Sequence, residues 1–428
     1  MSSMAIVLVA SLVVSVPKPT IVSPDKFVVS YWYGVPPEQT NQRRYAEIAE
    51  AGFNLVTPNN TELSVDQARA HNRKVLDLCK ANGLKAIIYD PRVAEAKPGS
   101  PSFERDMDEV IHDYARHPAL YGYYLRDEPG NADFPWLAAV SSALIKRDPK
   151  HLPYINLVPV VAGGMFGGPP FRNDPAAYPP IRDAYVKHLD GYIKTVNPKL
   201  VCYDEYDLFE GGGIRGWYFA NLELIRNAAQ KQHLPFWNIF LVTPHVHGHG
   251  TYRDPSLSDL RFLVYTTLAY GARGLMYFTY WTPPEGFGNA IIDAKGNRTR
   301  HYEEVKQLNF QIHRLASTLS RLHSDGVYHV GKQPMECHAL PPGTLLARVD
   351  GPDVLVSFLS DSRGRRYVMV VNKDMVQDQT ISLEFTEKVA LKELSAEDGR
   401  WRRISGLRRF DGRYLSGQGR LFEVLPPK

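Results

Sequence analysis

Tyr121-Gly-Tyr-Tyr-Leu-Arg-Asp-Glu-Pro129 is an aromatic strand that closes on two adjacent carboxylates and is stopped by a proline. Proline has no N–H for a strand ladder, so the strand ends where it stands. Similar runs lie on both sides of it. Segments 27–35, 53–58, 84–90, 120–128, 154–160, 200–205, 235–243 and 274–281 are short and apolar or aromatic, and stretches of helical period separate them. Strand and helix alternate eight times, which is the sequence form of repeated βα units. The fold class predicted is α/β: a (β/α)8 TIM barrel followed by a small C-terminal antiparallel β-sandwich domain.

Turn chemistry supports the alternation. Gly52 and Gly83 stand where a helix end needs a residue tolerant of left-handed backbone, and Pro149 and Pro198 stop helices before the next strand. Ser64-Val-Asp-Gln67 is a capping box, and further helices start near 101–102, at Asp133 and near 254–256. No two-residue hairpin turn is read before residue 330, as expected of parallel strands joined by helices. A doubly wound open sheet competes, but it would carry a Gly-rich phosphate turn after strand one, and Tyr33-Gly34-Val35-Pro36 is not one. From about Gly331 the helical period gives way to short alternating strands at 345–349, 354–359, 367–372, 380–385, 389–394 and 421–425, with a hairpin turn at Asp361-Ser-Arg-Gly364. The division expected is a leader over 1–24, a catalytic barrel over 25–328 and a β-sandwich over 329–428.

A chain of 428 residues exceeds one ordinary domain. Its formal charge of +4, with Lys and Arg scattered among acids, lacks the footprint of a nucleic-acid binder. Cys79, Cys202 and Cys337 are odd in number and widely spaced, so no disulfide framework is expected. The apolar run 5–16 is too short to span a bilayer and reads as a secretory signal, although no Lys or Arg precedes it. A secreted or periplasmic protein without a membrane span is expected, its oligomeric state open. The 24 Tyr and 6 Trp gather near predicted strand ends, a placement that suits a cleft for oligo- or polysaccharide, since flat rings pack on sugar C–H faces.

In a (β/α)8 barrel the chemistry lies at the C-terminal ends of the strands. Those ends offer Tyr33, Asn59 and Asn60, Asp90 and Arg92, then Arg126, Asp127 and Glu128 on strand four and Asn156 on strand five. Strand six adds Asp204, Glu205 and Tyr206, strand seven His245, His247 and His249, and strand eight Tyr280 and Trp281. Glycosidic cleavage needs a proton donor and a second carboxylate from different strand ends facing one cavity, and strands four and six supply them. Alternation places Gly122, Tyr124, Arg126 and Glu128 inward, so Glu128 points into the mouth and Asp127 to its wall. Asp204 is preferred as the second acid because it shares parity with Tyr206, which leaves Glu205 on the wall. The bland alternatives are that Asp127 and Glu128 only cap the next helix and that the strand-six acids form an inert ion pair. Metal-dependent barrels carry His-x-His on strand one, which here ends Tyr-Trp-Tyr-Gly. His245 is therefore read as a substrate hydrogen-bonding group, with no metal and no cofactor expected.

The segments 121–129, 203–206 and 256–281 together resemble bacterial glycoside hydrolase barrels related to the β-galactosidase-type TIM-barrel superfamily, over about residues 27–325. The resemblance implies O-glycosidic hydrolysis with Glu128 as acid/base and Trp281 as the tryptophan closing strand eight. Retaining members keep a nucleophilic glutamate at the end of strand seven, where Asn238-Ile-Phe-Leu-Val-Thr-Pro244 has no carboxylate. Either Asp204 takes that duty, or Asp127 and Glu128 act as an adjacent pair. The expected site is thus catalytic Glu128 and Asp204, with Arg126, Asp127, Glu205, Tyr206, Tyr33, Asn60, Asn156, His245, Tyr280 and Trp281 binding substrate. A non-catalytic carbohydrate-binding protein and a metal-dependent hydrolase are the other readings.

Overall fold

A computed structural model describes residues 21–59, 62–170, 174–247 and 250–426. Asn60, His249 and all but the last few residues of the expected leader lie outside them. The strands are β1 (Val28–Trp32), β2 (Leu55–Val56), β3 (Lys85–Ile88), β4 (Leu120–Asp127), β5 (Leu152–Asn156), β6 (Val201–Glu205), β7 (Phe236–Leu241), β8 (His245–His247), β9 (Gly250–Tyr252) and β10 (Gly274–Phe278). Helices α1 (Gln42–Glu50), α2 (Val65–Ala81), α3 (Pro91–Ala94), α4 (Phe103–Tyr114), α5 (Phe134–Arg147), α6 (Tyr178–Val196), α7 (Tyr218–Lys231), α8 (Leu257–Ala269) and α9 (Arg300–Leu319) alternate with them. Ser64 and Gln67 form the capping box that opens α2, and Ser256 with Asp259 forms another on α8. Each satisfies backbone donors that a helix start leaves unpaired.

Two four-stranded parallel sheets result, in the orders β1-β10-β7-β6 and β2-β3-β4-β5. Backbone hydrogen bonds also run between their edges: Leu157 N–H donates to Cys202 O at 2.8 Å, and Asn54 N–H to Val29 O at 3.0 Å. Side chains from both sheets fill the space between them, Val28, Cys202, Ile239 and Met276 meeting Leu55, Ile87 and Tyr154. The larger core lies on the other face of the strands, under the helices. Outside these sheets β8 and β9 form an antiparallel hairpin, where the sequence indicates only a loop. Gly122 lets β4 approach β5: a Cβ there would stand 2.3 Å from Leu152 O. Gly122→Ala is expected to cost on the order of 3 kcal/mol through overpacking. A urea midpoint matching that of the native chain would contradict this.

The C-terminal part comprises β11 (Leu322–Val330), β12 (His338–Ala339), β13 (Leu346–Asp350), β14 (Val354–Asp361), β15 (Arg366–Asn372), β16 (Gln379–Leu394), β17 (Trp401–Tyr414) and β18 (Gly419–Leu425). They pair in the order β12-β11-β14-β15-β18-β16-β13, with β17 on β16. The boundary expected between 328 and 329 lies inside β11, which already pairs with β14. In place of two separate sheets, one hydrogen-bonded sheet is seen. The long β16 joins two segments read as separate strands; its register breaks between Glu384 and Val389, and its halves pair with β13 and β18. Alternation along β14 and β15 sends Leu355, Leu359, Met369 and Val371 to the main core and Val354, Val356, Val368 and Val370 to a second one.

Candidate active site

The C-terminal ends of the parallel strands open on a cavity of about 500 Å³, lined by Trp32, Asp127, Glu128, Asn156, Asp204 and Tyr206 together with Arg215, His245, Tyr252 and Phe278. β4 arrives there irregularly. Tyr124 pairs with Tyr154 and Arg126 with Ile155, so Leu125 is an extra residue with no partner on β5. A bulge of this kind shifts parity for every residue after it. Arg126, expected inward, instead lies over the Trp136 ring at 4.7 Å, on α5. Asp127, expected on the wall, lines the cavity. Glu128 also reaches it, but on left-handed backbone, φ +46°, with its N–H donating to Asn156 O at 2.8 Å. A glutamate held at positive φ is strained, and such strain persists where surroundings over-determine it, often at functional sites.

Asn156 joins the acids. Its Nδ2 donates to Asp127 Oδ1 at 2.9 Å and to Asp204 Oδ1 at 2.8 Å, tying the ends of β4 and β6 through β5. Burial lifts Asp127 to about 6, an effect the Asn156 amide opposes. Burial also lifts Glu128 to about 7, with the Asp127 charge adding to it. Asp204 is 4% exposed and is pushed well above the usual carboxylate range by burial and by the charges of Glu128 and Asp127. Three carboxyls in one cavity cannot all ionise near neutrality, so the cluster keeps a proton.

Around these acids stand rings. Tyr206 lies 4.6 Å from Phe278 and 5.9 Å from His245, whose Nδ1 is 2.9 Å from Thr243 O. Glu205 faces away from the cavity. It is buried beside Arg215, Nη1 to Oε1 3.5 Å, in a group that includes Asp207, which burial lifts to about 7. Arg215 in turn donates from Nη2 to the Tyr252 hydroxyl at 2.9 Å. Tyr33, Tyr280 and Trp281 do not line the cavity either. Tyr33 accepts from Trp281 N–H through its carbonyl, Tyr280 stacks on Tyr31 at 4.6 Å within the core, and Trp281 lies under the Arg44 guanidinium at 5.1 Å. The chain leaves the sheet after Phe278, so strand alternation no longer aims the residues that follow.

Trp32 and Phe278 take the places expected for these rings. Both share parity with residues that face between the sheets, Val28 and Met276, and that signal was available in the sequence. Arg215 and Phe287 come from loops and Tyr252 from the three-residue β9, where no period could have marked them. A larger cavity, about 790 Å³, opens at the opposite ends of the strands. Its Lys85, Lys150, Lys199, Arg273 and Arg321 follow the C-terminal ends of α2, α5, α6, α8 and α9, where cations offset the negative ends of helix dipoles. Among the described residues no helix is long and apolar enough to cross a membrane.

No protein-family profile matches the sequence, and no curated protein is similar to it by sequence. Solved structures do resemble it. A glycoside hydrolase aligns over 93% of this chain and 92% of its own, at 12% identity and a TM-score of 0.56. A glycoside hydrolase family 5 protein from Bacteroides vulgatus ATCC 8482 aligns over 93% and 89%, at 13% identity and a TM-score of 0.54. The chain spans 62% of the length of a β-galactosidase from the psychrophilic Marinomonas ef1, with 70% of this chain aligned, 13% identity and a TM-score of 0.48. At such identities the likeness is one of architecture, and by architecture this chain has the fold of solved bacterial glycoside hydrolases.

Proposed function

We propose that the chain hydrolyses O-glycosidic bonds, that its two parallel sheets are halves of one (β/α)8 barrel, and that Glu128 is the proton donor with Asp204 as nucleophile or general base. The observation that carries this is the double hydrogen bond of Asn156. Contacts of 2.9 and 2.8 Å to a single nitrogen keep the Asp127 and Asp204 oxygens within about 6 Å of each other. Carboxyl groups from β4 and β6 therefore meet over one cavity, as cleavage of a bond flanked by two acids requires, and Glu128 lines that cavity beside Asp127.

The same amide sorts the roles. Hydrogen bonds donated to a carboxyl oxygen favour its ionised form. Asp127 and Asp204 each receive one from Asn156, whereas burial and the Asp127 charge are what act on Glu128. On this reading the proton used in catalysis is carried by Glu128, at the cavity surface, where a leaving oxygen can take it. Asp204, ionised and fixed by Asn156, faces the anomeric carbon or the water that attacks it. Asp127 is a positioning residue that holds Asn156 and raises Glu128. The Tyr206 hydroxyl, pushed upward by burial and by Asp204, stays protonated and serves as a donor to the sugar.

The pH dependence of kcat/KM on a cleaved glycoside tests this. A general acid must carry its proton, so the rate falls as pH rises through the value of Glu128, about 7, approaching tenfold per pH unit above it. A rate constant between pH 6 and 9 would contradict the assignment.

A further inference from the structure

Hydrogen-bonding groups are unevenly spread in the cavity. Asp127, Glu128, Asn156 and Asp204 lie at its strand-end floor and Tyr206, Arg215, His245 and Tyr252 also line it, whereas the segments after β5, β7 and β10 give it an outer wall of Val161, Ala162, Met165, Val246 and Phe287. None of these five side chains offers an N–H or O–H donor, and the nearest polar ring is His245, packed on Phe287 at 5.0 Å. Met165 is 45% exposed and Val246 71%, two of the few large hydrophobic side chains left open to water. Exposed apolar surface on the rim of a polar site is a recurrent mark of a ligand that covers it.

A second sugar ring on this wall would lose water from its hydroxyls and regain few hydrogen bonds, which costs free energy. A hydrocarbon group would lose only apolar contact with water, which is favourable. We propose that the outer wall binds an apolar aglycone, so that the substrates are glycosides of hydrophobic alcohols or phenols rather than oligosaccharides. This rests on the hydrolase reading above. In the reaction the bond from the anomeric carbon to the aglycone oxygen breaks and that oxygen takes the Glu128 proton. Water supplies hydroxide to the anomeric carbon and the proton that restores Glu128.

The test uses the full chain and a panel of sugars, each offered as its methyl glycoside, its cyclohexyl glycoside and a disaccharide. Methanol and cyclohexanol are similarly weak acids, so the cyclohexyl-to-methyl ratio in kcat/KM reports binding rather than leaving-group acidity, and the more acidic sugar hydroxyl of the disaccharide only favours the disaccharide. For any sugar accepted, the cyclohexyl glycoside is expected to exceed both others by about tenfold. Replacing Met165 and Val246 together by serine is expected to shrink the cyclohexyl-to-methyl ratio by about fivefold. A disaccharide cleaved as fast as the cyclohexyl glycoside, or a ratio unmoved by the double substitution, overturns the aglycone assignment alone. Absence of turnover on every sugar overturns the hydrolase reading and this inference with it.

Discussion

Glu128→Gln is expected to lower kcat on a cleaved alkyl glycoside by about 10³-fold, the scale of a lost general acid. The amide fills the same space and cannot release a proton to the leaving oxygen. Its backbone constraints, the positive φ and the N–H bond to Asn156 O, remain available to glutamine. Stability should therefore change little, and the loss should be smaller on glycosides whose leaving groups need no protonation. Equal losses on alkyl and on activated aryl glycosides would mean that Glu128 acts otherwise than as an acid.

Asp204→Asn is expected to remove activity on the order of 10³-fold or more on every leaving group, because the group facing the anomeric carbon has lost its charge. Its effect on stability runs the other way. Burial and the neighbouring charges raise the folded value of Asp204, so keeping it ionised near neutrality costs the native state stability that the unfolded chain does not lose. Its contribution to stability is present at low pH and is lost as pH rises toward the folded value. The amide that replaces the carboxyl has no charge to bury, and its oxygen can still accept from Asn156. At pH 8 the variant is expected to unfold at a higher urea concentration than the native chain, and the gain should vanish near pH 4. A variant both inactive and less stable at pH 8 would show that Asp204 is a structural group.

The strand ends that hold the acids were legible because their punctuation is local. Pro129 stops β4, and the Tyr203–Tyr206 motif closes β6 with Asp204 and Tyr206 on one face. Which way Asp127 and Arg126 point was not legible, since the bulge at Leu125 depends on how β4 meets β5 and leaves no mark in composition. Tyr280 and Trp281 were misplaced for a related reason: alternation was continued past Phe278, where pairing ends. In the C-terminal sheet β17 escaped notice because Arg402, Arg403, Arg408, Arg409 and Arg413 interrupt the apolar alternation by which a strand is recognised. β8 and β9 escaped because their glycines and histidines read as loop chemistry. Local rules find elements and their ends, whereas register and bulges belong to neighbouring strands.

Whether carboxyls from β4 and β6 act on one ligand is tested most directly by the crystal structure of the Glu128→Gln protein with an uncleaved glycoside bound. The expected result is a glycosidic oxygen about 2.6–3.2 Å from the residue-128 side chain, with Asp204 facing the anomeric carbon directly or through one water. A sugar bound with its anomeric carbon away from Asp204, or outside this cavity, would contradict the account.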